Sequence, residues 1–169
     1  EVENDDLVIN QLLARPDVAA EFLSVLDRLA GIEATGEINP DGHPVFAFMD
    51  PRCPYCHRAF EELEGEVVVK WLPTLALGDG GDAIAATLLG AMTADRNDAG
   101  EITGVHFSDD AEREARLAQQ LGGGDMPSSA RALTEEQSFA LTENLTVLRQ
   151  LYGRQGELLG VPTFIVPRA

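Results

Sequence analysis

The sequence predicts an α/β fold, because short strand-like segments alternate with longer segments of helical periodicity. Residues 45–49 form an unbroken apolar run, which is typical of a strand covered on both faces. A β-branched run at 67–72 and a final segment at 161–166 predict further strands. With 169 residues, 44 % of them hydrophobic, the chain can bury the core of one domain.

Helical segments are predicted before, between and after these strands. Pro16-Asp17 opens the first, and Gly31 follows its end. The capping box Thr134-Glu135-Glu136-Gln137 opens the last. Between them, helical periodicity covers 57–63, 83–94 and 109–121. Residues 1–44 are therefore expected to be an N-terminal helical segment and linker, with a turn at 39–42, and residues 45–169 the main domain.

The charge balance narrows the choice of partners. The formal net charge is −17, from 29 acidic and 12 basic residues. Such a surface repels phosphates and anionic lipids, so neither nucleic acid nor a membrane surface is an expected partner. No apolar run of the sequence is long enough to cross a bilayer.

The chemistry of the sequence lies in its two cysteines, which share one Cys53-Pro54-Tyr55-Cys56 motif. The motif follows the apolar strand and opens a predicted helix, where free N–H groups and the helix dipole favour a thiolate at Cys53. Cys56 lies one turn inside, close enough to form a disulfide. Pro54 suits the first turn of a helix because its φ is fixed. Arg52, and His57 when protonated, would add positive charge beside Cys53.

The motif leaves other interpretations open. With His57 it satisfies the Cys-x-x-Cys-His pattern of c-type haem attachment, although small haem c domains are mainly helical. A zinc site would need His43, His57 or His106, which are scattered along the chain. A buried cysteine pair without chemistry is a further alternative. A binding module that works without cysteine chemistry would be the non-catalytic alternative.

Four segments resemble one family. The segment 48–56, with its Cys-Pro-Tyr-Cys motif, resembles the active-site strand and loop of the bacterial periplasmic Dsb thiol:disulfide interchange proteins, especially the DsbG/DsbC branch. The segment 70–78 is similar to the stretch that follows the second strand there. Residues 143–151 and Gly160-Val161-Pro162-Thr163 resemble the last helix and the cis-proline loop. The similarity extends from about residue 45 to residue 166.

The resemblance implies that residues 45–169 are a catalytic domain of thioredoxin-like fold, with a helical insertion, at about 82–132, between the CxxC half and the cis-proline half. It implies that Cys53 is the nucleophile and Cys56 the resolving thiol, with Arg52, Pro54, Tyr55 and His57 modulating them. Val161 and a cis Pro162 would form the substrate-binding loop. It also implies a periplasmic location in a Gram-negative bacterium, protein substrates, a membrane redox partner that recharges the site, and no metal or organic cofactor.

Three features depart from DsbG and DsbC. Only about forty residues precede the core, which is too few for their dimerisation domain, and the final strand and helix of the fold are expected to be missing from this sequence. Val161 stands where those proteins usually have Thr. The short N-terminal segment and Val161 favour an oxidase or reductase over an isomerase.

Overall fold

The computed structural model describes residues 16–38, 42–78, 80–108, 112–122, 132–152 and 160–167. In these ranges the helices are α1 Pro16–Arg28, α2 Pro54–Leu63, α3 Asp82–Leu89, α4 Arg113–Leu121 and α5 Glu135–Tyr152. The strands are β1 Ile32–Ala34, β2 Gly36–Ile38, β3 Val45–Met49, β4 Gly65–Val67, β5 Val69–Pro73, β6 Met92–Arg96, β7 Ile102–Phe107 and β8 Thr163–Ile165.

The central sheet has the strand order β1-β5-β3-β8. Strand β3 runs parallel to β5 and antiparallel to β8, while β1 runs antiparallel to β5. All five residues of β3 are buried, which confirms the prediction of a strand covered on both faces. Strand β3 lies between β5 and β8, and the CxxC motif follows its carboxyl end. The buried strand therefore fixes the position of the motif at one end of the central sheet.

Helices cover both faces of this sheet. On one face, Ala47 and Trp71 pack with Phe60 of α2 and Leu117 of α4. The other face packs against α1 and α5 through a second cluster, formed by Leu26, Leu29, Phe46, Phe48, Leu72, Val147, Leu148, Leu151 and Ile165. This layered arrangement is the α/β, thioredoxin-like fold that the sequence predicts.

The insertion at about 82–132 was predicted to be helical, but its described residues also form two strands, β6 and β7. Helix α3 ends at Leu89, where Gly90 adopts a φ of 66° and its N–H donates to the carbonyl of Ala86. A hairpin of β6 and β7 follows, closed by a hydrogen bond of 3.0 Å from Gly100 N to Asn97 O. Helix α4 begins only at Arg113.

Residues 1–44 were predicted to be a helical segment and linker, but strands β1 and β2 occupy part of this region. Ile32 and Ala34 of β1 are buried in the sheet, and β2 pairs in parallel with β4. A Cβ at Gly36 would lie 2.4 Å from the carbonyl carbon of Val67, so this pairing requires glycine. The predicted strand at 67–72 is likewise divided between β4 and β5. Residues 1–15 and 39–41 lie outside the described residues.

The capping box at the start of α5 is confirmed. The N–H of Gln137 donates to Thr134 Oγ1 at 3.1 Å, and the N–H of Thr134 donates to Gln137 Oε1 at 3.0 Å. The Gln137 amide also donates to the carbonyl of Gly90 at 2.7 Å. The cap therefore fastens the start of α5 to the end of α3.

Asn144 joins α5 to the segment after α1 and to the end of β5. Its side chain is fully buried, and its amide nitrogen donates to the carbonyls of Ala30, at 3.0 Å, and Pro73, at 2.9 Å. These carbonyls lie just after α1 and at the end of β5. One side chain thereby satisfies buried backbone groups of two different elements.

The neighbouring Glu143 gives a pH-dependent prediction. Burial raises the pKa of its carboxyl, and the charge of Arg28 opposes that rise. The folded state therefore holds the proton to higher pH than the unfolded state, and stability falls as pH rises through this window. Glu143→Gln removes the charge and should stabilise the protein at pH 7 by less than about 1 kcal/mol, with no gain below the ordinary carboxyl range.

Urea unfolding at several pH values checks this expectation. A gain that is as large at about pH 3 as at pH 7 would contradict it, because the wild-type carboxyl is already protonated there.

Candidate active site

The CxxC motif lies where the sequence places it, at the junction of β3 and α2. Cys53 is the N-cap residue of α2, with φ −77° and ψ 120°, and Pro54 occupies the first turn. The carbonyl of Cys53 accepts the N–H groups of Cys56 and His57, each at 3.1 Å. The helix thus starts on the first cysteine, which puts that sulfur beside the free N–H groups of the first turn.

The fold brings the cis-proline loop to this sulfur from far along the chain. The peptide bond between Val161 and Pro162 is cis, as the resemblance implies. The thiol of Cys53 donates to the carbonyl oxygen of Val161 at 3.6 Å, across 108 residues of sequence. Val161 also packs against the apolar cluster that contains both cysteines. The two halves of the expected site therefore meet at Cys53.

The two thiols have different surroundings. Both cysteines are free, with 4 % of Cys53 and none of Cys56 exposed to solvent. Burial raises the pKa of the Cys56 thiol well above its ordinary value. A backbone hydrogen bond at Asp50 opposes this effect, while the hydrogen bond with Cys53 and the charges of Cys53 and Asp50 strengthen it. Cys56 is thus a buried thiol that stays protonated at neutral pH.

Alkylation of the reduced protein should therefore discriminate between the two thiols. At pH 7 we expect iodoacetamide to modify Cys53 at least about tenfold faster than Cys56, because the thiolate is the reactive form and a shift of one pKa unit changes its amount tenfold. Mass spectrometry of peptides taken at intervals measures both rates. The urea-unfolded protein is the control, in which the two rates should converge. Equal rates in the folded protein would contradict the assignment.

Arg52 is paired with a buried carboxylate. Its guanidinium forms a two-pronged ion pair with Asp50, through Nε to Oδ1 at 3.0 Å and Nη2 to Oδ2 at 2.8 Å. The Asp50 side chain is fully buried and also accepts the backbone N–H groups of Arg52 and Leu77. The Asp50 carboxylate therefore offsets the positive charge that Arg52 was expected to add beside Cys53. Arg52 also donates to the carbonyl of Gly78 at 2.7 Å. This bond fastens the loop after β5 to the redox loop, which consists of residues 50–53 between β3 and α2.

His57 and Tyr55 occupy contrasting positions. The Nε2 of His57 lies 2.6 Å from the carbonyl oxygen of Pro51, so the ring holds the redox loop onto α2. Tyr55 is 66 % exposed, and the guanidinium of Arg58 lies 5.7 Å from the centre of its ring. Neither Asp50 nor Arg58 is predicted from the sequence as a site residue, although Asp50 stands only two residues before Arg52.

The three histidines do not converge. His43 lies near Asp27 and His106 near Asp95, whereas His57 contacts the Pro51 carbonyl. Within the described ranges, no group of three or more His, Cys, Asp or Glu side chains is arranged to hold a metal ion. The ring nitrogen that a haem iron would take, Nε2 of His57, is engaged with backbone. No helix in the described part of the chain is long and apolar enough to span a membrane.

Comparison with known proteins gives one likeness, at the level of the fold. No protein-family model matches the sequence, and no curated protein matches it. The structure is similar to Proteus mirabilis ScsC in a compact conformation, with a TM-score of 0.51 and 17 % identity over 89 % of this chain and 75 % of that one. A linker-deletion mutant of Proteus mirabilis ScsC gives 0.51 and 17 % over 96 % and 85 %. At this identity the likeness supports the thioredoxin-like fold alone.

Proposed function

We propose that this protein is a thiol–disulfide oxidoreductase that exchanges disulfides with protein clients through Cys53 and Cys56. The observation that carries the proposal is the hydrogen bond from Cys53 to Val161, at the start of α2 and beside the cis-proline loop. It joins a thiol at a helix N-terminus, a buried partner thiol and an X–Pro loop in one place. Such a pair can cycle between dithiol and disulfide without a metal or organic cofactor.

In the oxidising direction the protein begins with a Cys53–Cys56 disulfide. A client thiolate attacks the sulfur of Cys53, a client–Cys53 disulfide forms, and the electron pair leaves on Cys56. The sulfur of Cys56 then takes up a proton, which its raised pKa favours. A second client thiolate attacks the client sulfur of the mixed disulfide and releases Cys53. The client has lost two electrons and the protein has gained them; the reverse sequence reduces a client disulfide.

The finer assignment rests on the resemblance to DsbG and DsbC. It supports a periplasmic location, a membrane redox partner that recharges the site, and client backbone pairing at Val161 and Pro162. Val161 has an isopropyl group where a hydroxyl is usual in that branch, and it removes a hydrogen-bonding option beside Cys53. We therefore propose oxidation or reduction of clients rather than isomerisation of scrambled ones.

Matched cysteine variants test the proposal. The purified protein is incubated with insulin as a reducible client and, separately, with a reduced multi-disulfide protein. Cys53→Ser should abolish both activities, whereas Cys56→Ser should accumulate a mixed disulfide between Cys53 and the client, visible on a non-reducing gel. Client binding that survives in Cys53→Ser without any exchange by the wild type would indicate a binding module. A Soret absorbance band would indicate the haem alternative.

A further inference from the structure

The surface beside the redox centre differs from the rest of the chain in charge. The whole sequence carries a net charge of −17, yet residues 51–60 contain two arginines, one histidine and no acidic residue. Of these three, Arg52 is paired with buried Asp50, and His57 contacts the Pro51 carbonyl. The remaining cation is Arg58, which is exposed on α2.

Arg58 is held close to the motif by Tyr55. The two residues are three apart on α2, so their side chains are neighbours on one face of the helix. Helical side chains lean toward the N-terminus, which directs Arg58 toward the end that carries Cys53. Its guanidinium lies 5.7 Å from the centre of the Tyr55 ring, within the range of a cation–π contact. Tyr55 itself lies between the two cysteines and is 66 % exposed.

Arg58 forms no close ion pair with any residue that the structure describes. Among the described residues no carboxylate lies within 4.0 Å of its guanidinium, although Glu61 and Glu62 follow on the same helix. Glu61 and Glu62 stand about 5 Å farther along the helix axis from Cys53 than Arg58 does, at a rise of about 1.5 Å per residue, so Arg58 is the exposed charge of α2 nearest to the CxxC motif. A client segment that reaches Cys53 therefore meets a local positive charge despite the acidic surface elsewhere.

We propose that Arg58, held on the ring of Tyr55, is a specificity-determining residue that favours client segments with Asp or Glu beside the reacting cysteine. This inference rests on the proposed function. An acidic client is repelled by the chain as a whole, and the Arg58 guanidinium offers it a compensating contact at the point of exchange. Arg58 acts on the approach and orientation of the client, while the sulfur chemistry remains with Cys53 and Cys56.

The test uses two synthetic peptides, each with one disulfide, that differ only in Glu or Lys beside the reacting cysteine. Second-order rate constants for their reduction by the full, reduced chain are measured by acid quenching and chromatography. We expect Arg58→Gln to lower the Glu-to-Lys ratio of rate constants about two- to fivefold at low salt, as for other exposed charge pairs. Arg58→Glu should lower it further, Arg58→Lys should restore most of it, and about 1 M salt should remove the differences.

Arg149→Gln is the matched control, because Arg149 is also exposed and its substitution makes the same charge change on α5, a helix that packs against the opposite face of the sheet. It should leave the ratio near the wild-type value. Equal shifts in Arg58→Gln and Arg149→Gln would overturn the inference, since net charge alone would then explain both. Exchange with both peptides but no change in any Arg58 variant would overturn it as well. A wild-type protein that exchanges with neither peptide would overturn the proposed function itself.

Discussion

Replacing Arg52 by alanine is expected to destabilise the reduced protein by about 3 kcal/mol, because it leaves a fully buried carboxylate without its counter-charge. The loss should lie at the lower end of the range for buried pairs. The Arg52 side chain is itself 20 % exposed, and Asp50 keeps the N–H of Leu77 as a donor. Urea unfolding of the variant and the wild type, both reduced, measures the difference.

A double-mutant cycle separates the ion pair from other effects of the substitution. Once Asp50→Asn has removed the buried charge, Arg52→Ala should cost about 2 kcal/mol less than it does in the wild type. Arg52→Lys keeps the charge but loses the two-pronged geometry, so its stability should fall between the wild type and Arg52→Ala. A coupling energy near zero would contradict the ion pair as the source of the effect.

The Asp50–Arg52 ion pair also holds the loop that follows β5. Leu77 donates to Asp50 and Gly78 accepts from Arg52, so this loop is bound to the redox loop at two points. A Cβ at Gly81 would lie 2.8 Å from Nε of Arg52, so the loop closes on the guanidinium with no room for a side chain. Arg52 therefore holds the loop after β5 against the redox loop, while Asp50 offsets its positive charge.

Features fixed by short stretches of sequence were predictable. The apolar run at 45–49 gave the central strand, and the Thr134–Gln137 spacing gave a cap that the side chains form. The CxxC motif at a strand–helix junction placed Cys53 at the start of α2. In each case the signal and the structure lie within a few residues of each other, so no tertiary contact had to be known.

Features fixed by distant partners were not predictable. Strands β1 and β2 have three residues each, too few for an alternating pattern, and they are defined by pairing with β5 and β4. Asp50 appears in the sequence as an ordinary loop acid, and only its burial reveals that it offsets Arg52. The β6–β7 hairpin did leave a local signal, in the turn that ends at Gly100, but Met92 fitted the preceding helical face equally well.

Trp71→Ala is expected to destabilise the protein by about 3–5 kcal/mol, the usual range for truncating a buried tryptophan. Trp71 is 1 % exposed, and its ring lies 5.7 Å from that of Phe60 and 6.2 Å from that of Phe164. It belongs to the same apolar cluster as Cys53 and Cys56. The cavity should therefore also admit solvent to Cys56 and raise its rate of alkylation, whereas Trp71→Phe should lose less on both measures.

Leu26→Ala separates loss of stability from loss of this local shelter. Leu26 is fully buried in the cluster on the opposite face of the sheet, and its truncation should cost about 2–5 kcal/mol. If global unfolding controlled the access to Cys56, the two alanine variants would show alkylation rates set only by their measured free energies of unfolding. We expect Cys56 to react faster in Trp71→Ala than in Leu26→Ala at equal stability, matched with urea, because only Trp71 belongs to the apolar cluster that contains Cys56. Equal rates at matched stability would show that Trp71 shelters Cys56 only by keeping the whole protein folded.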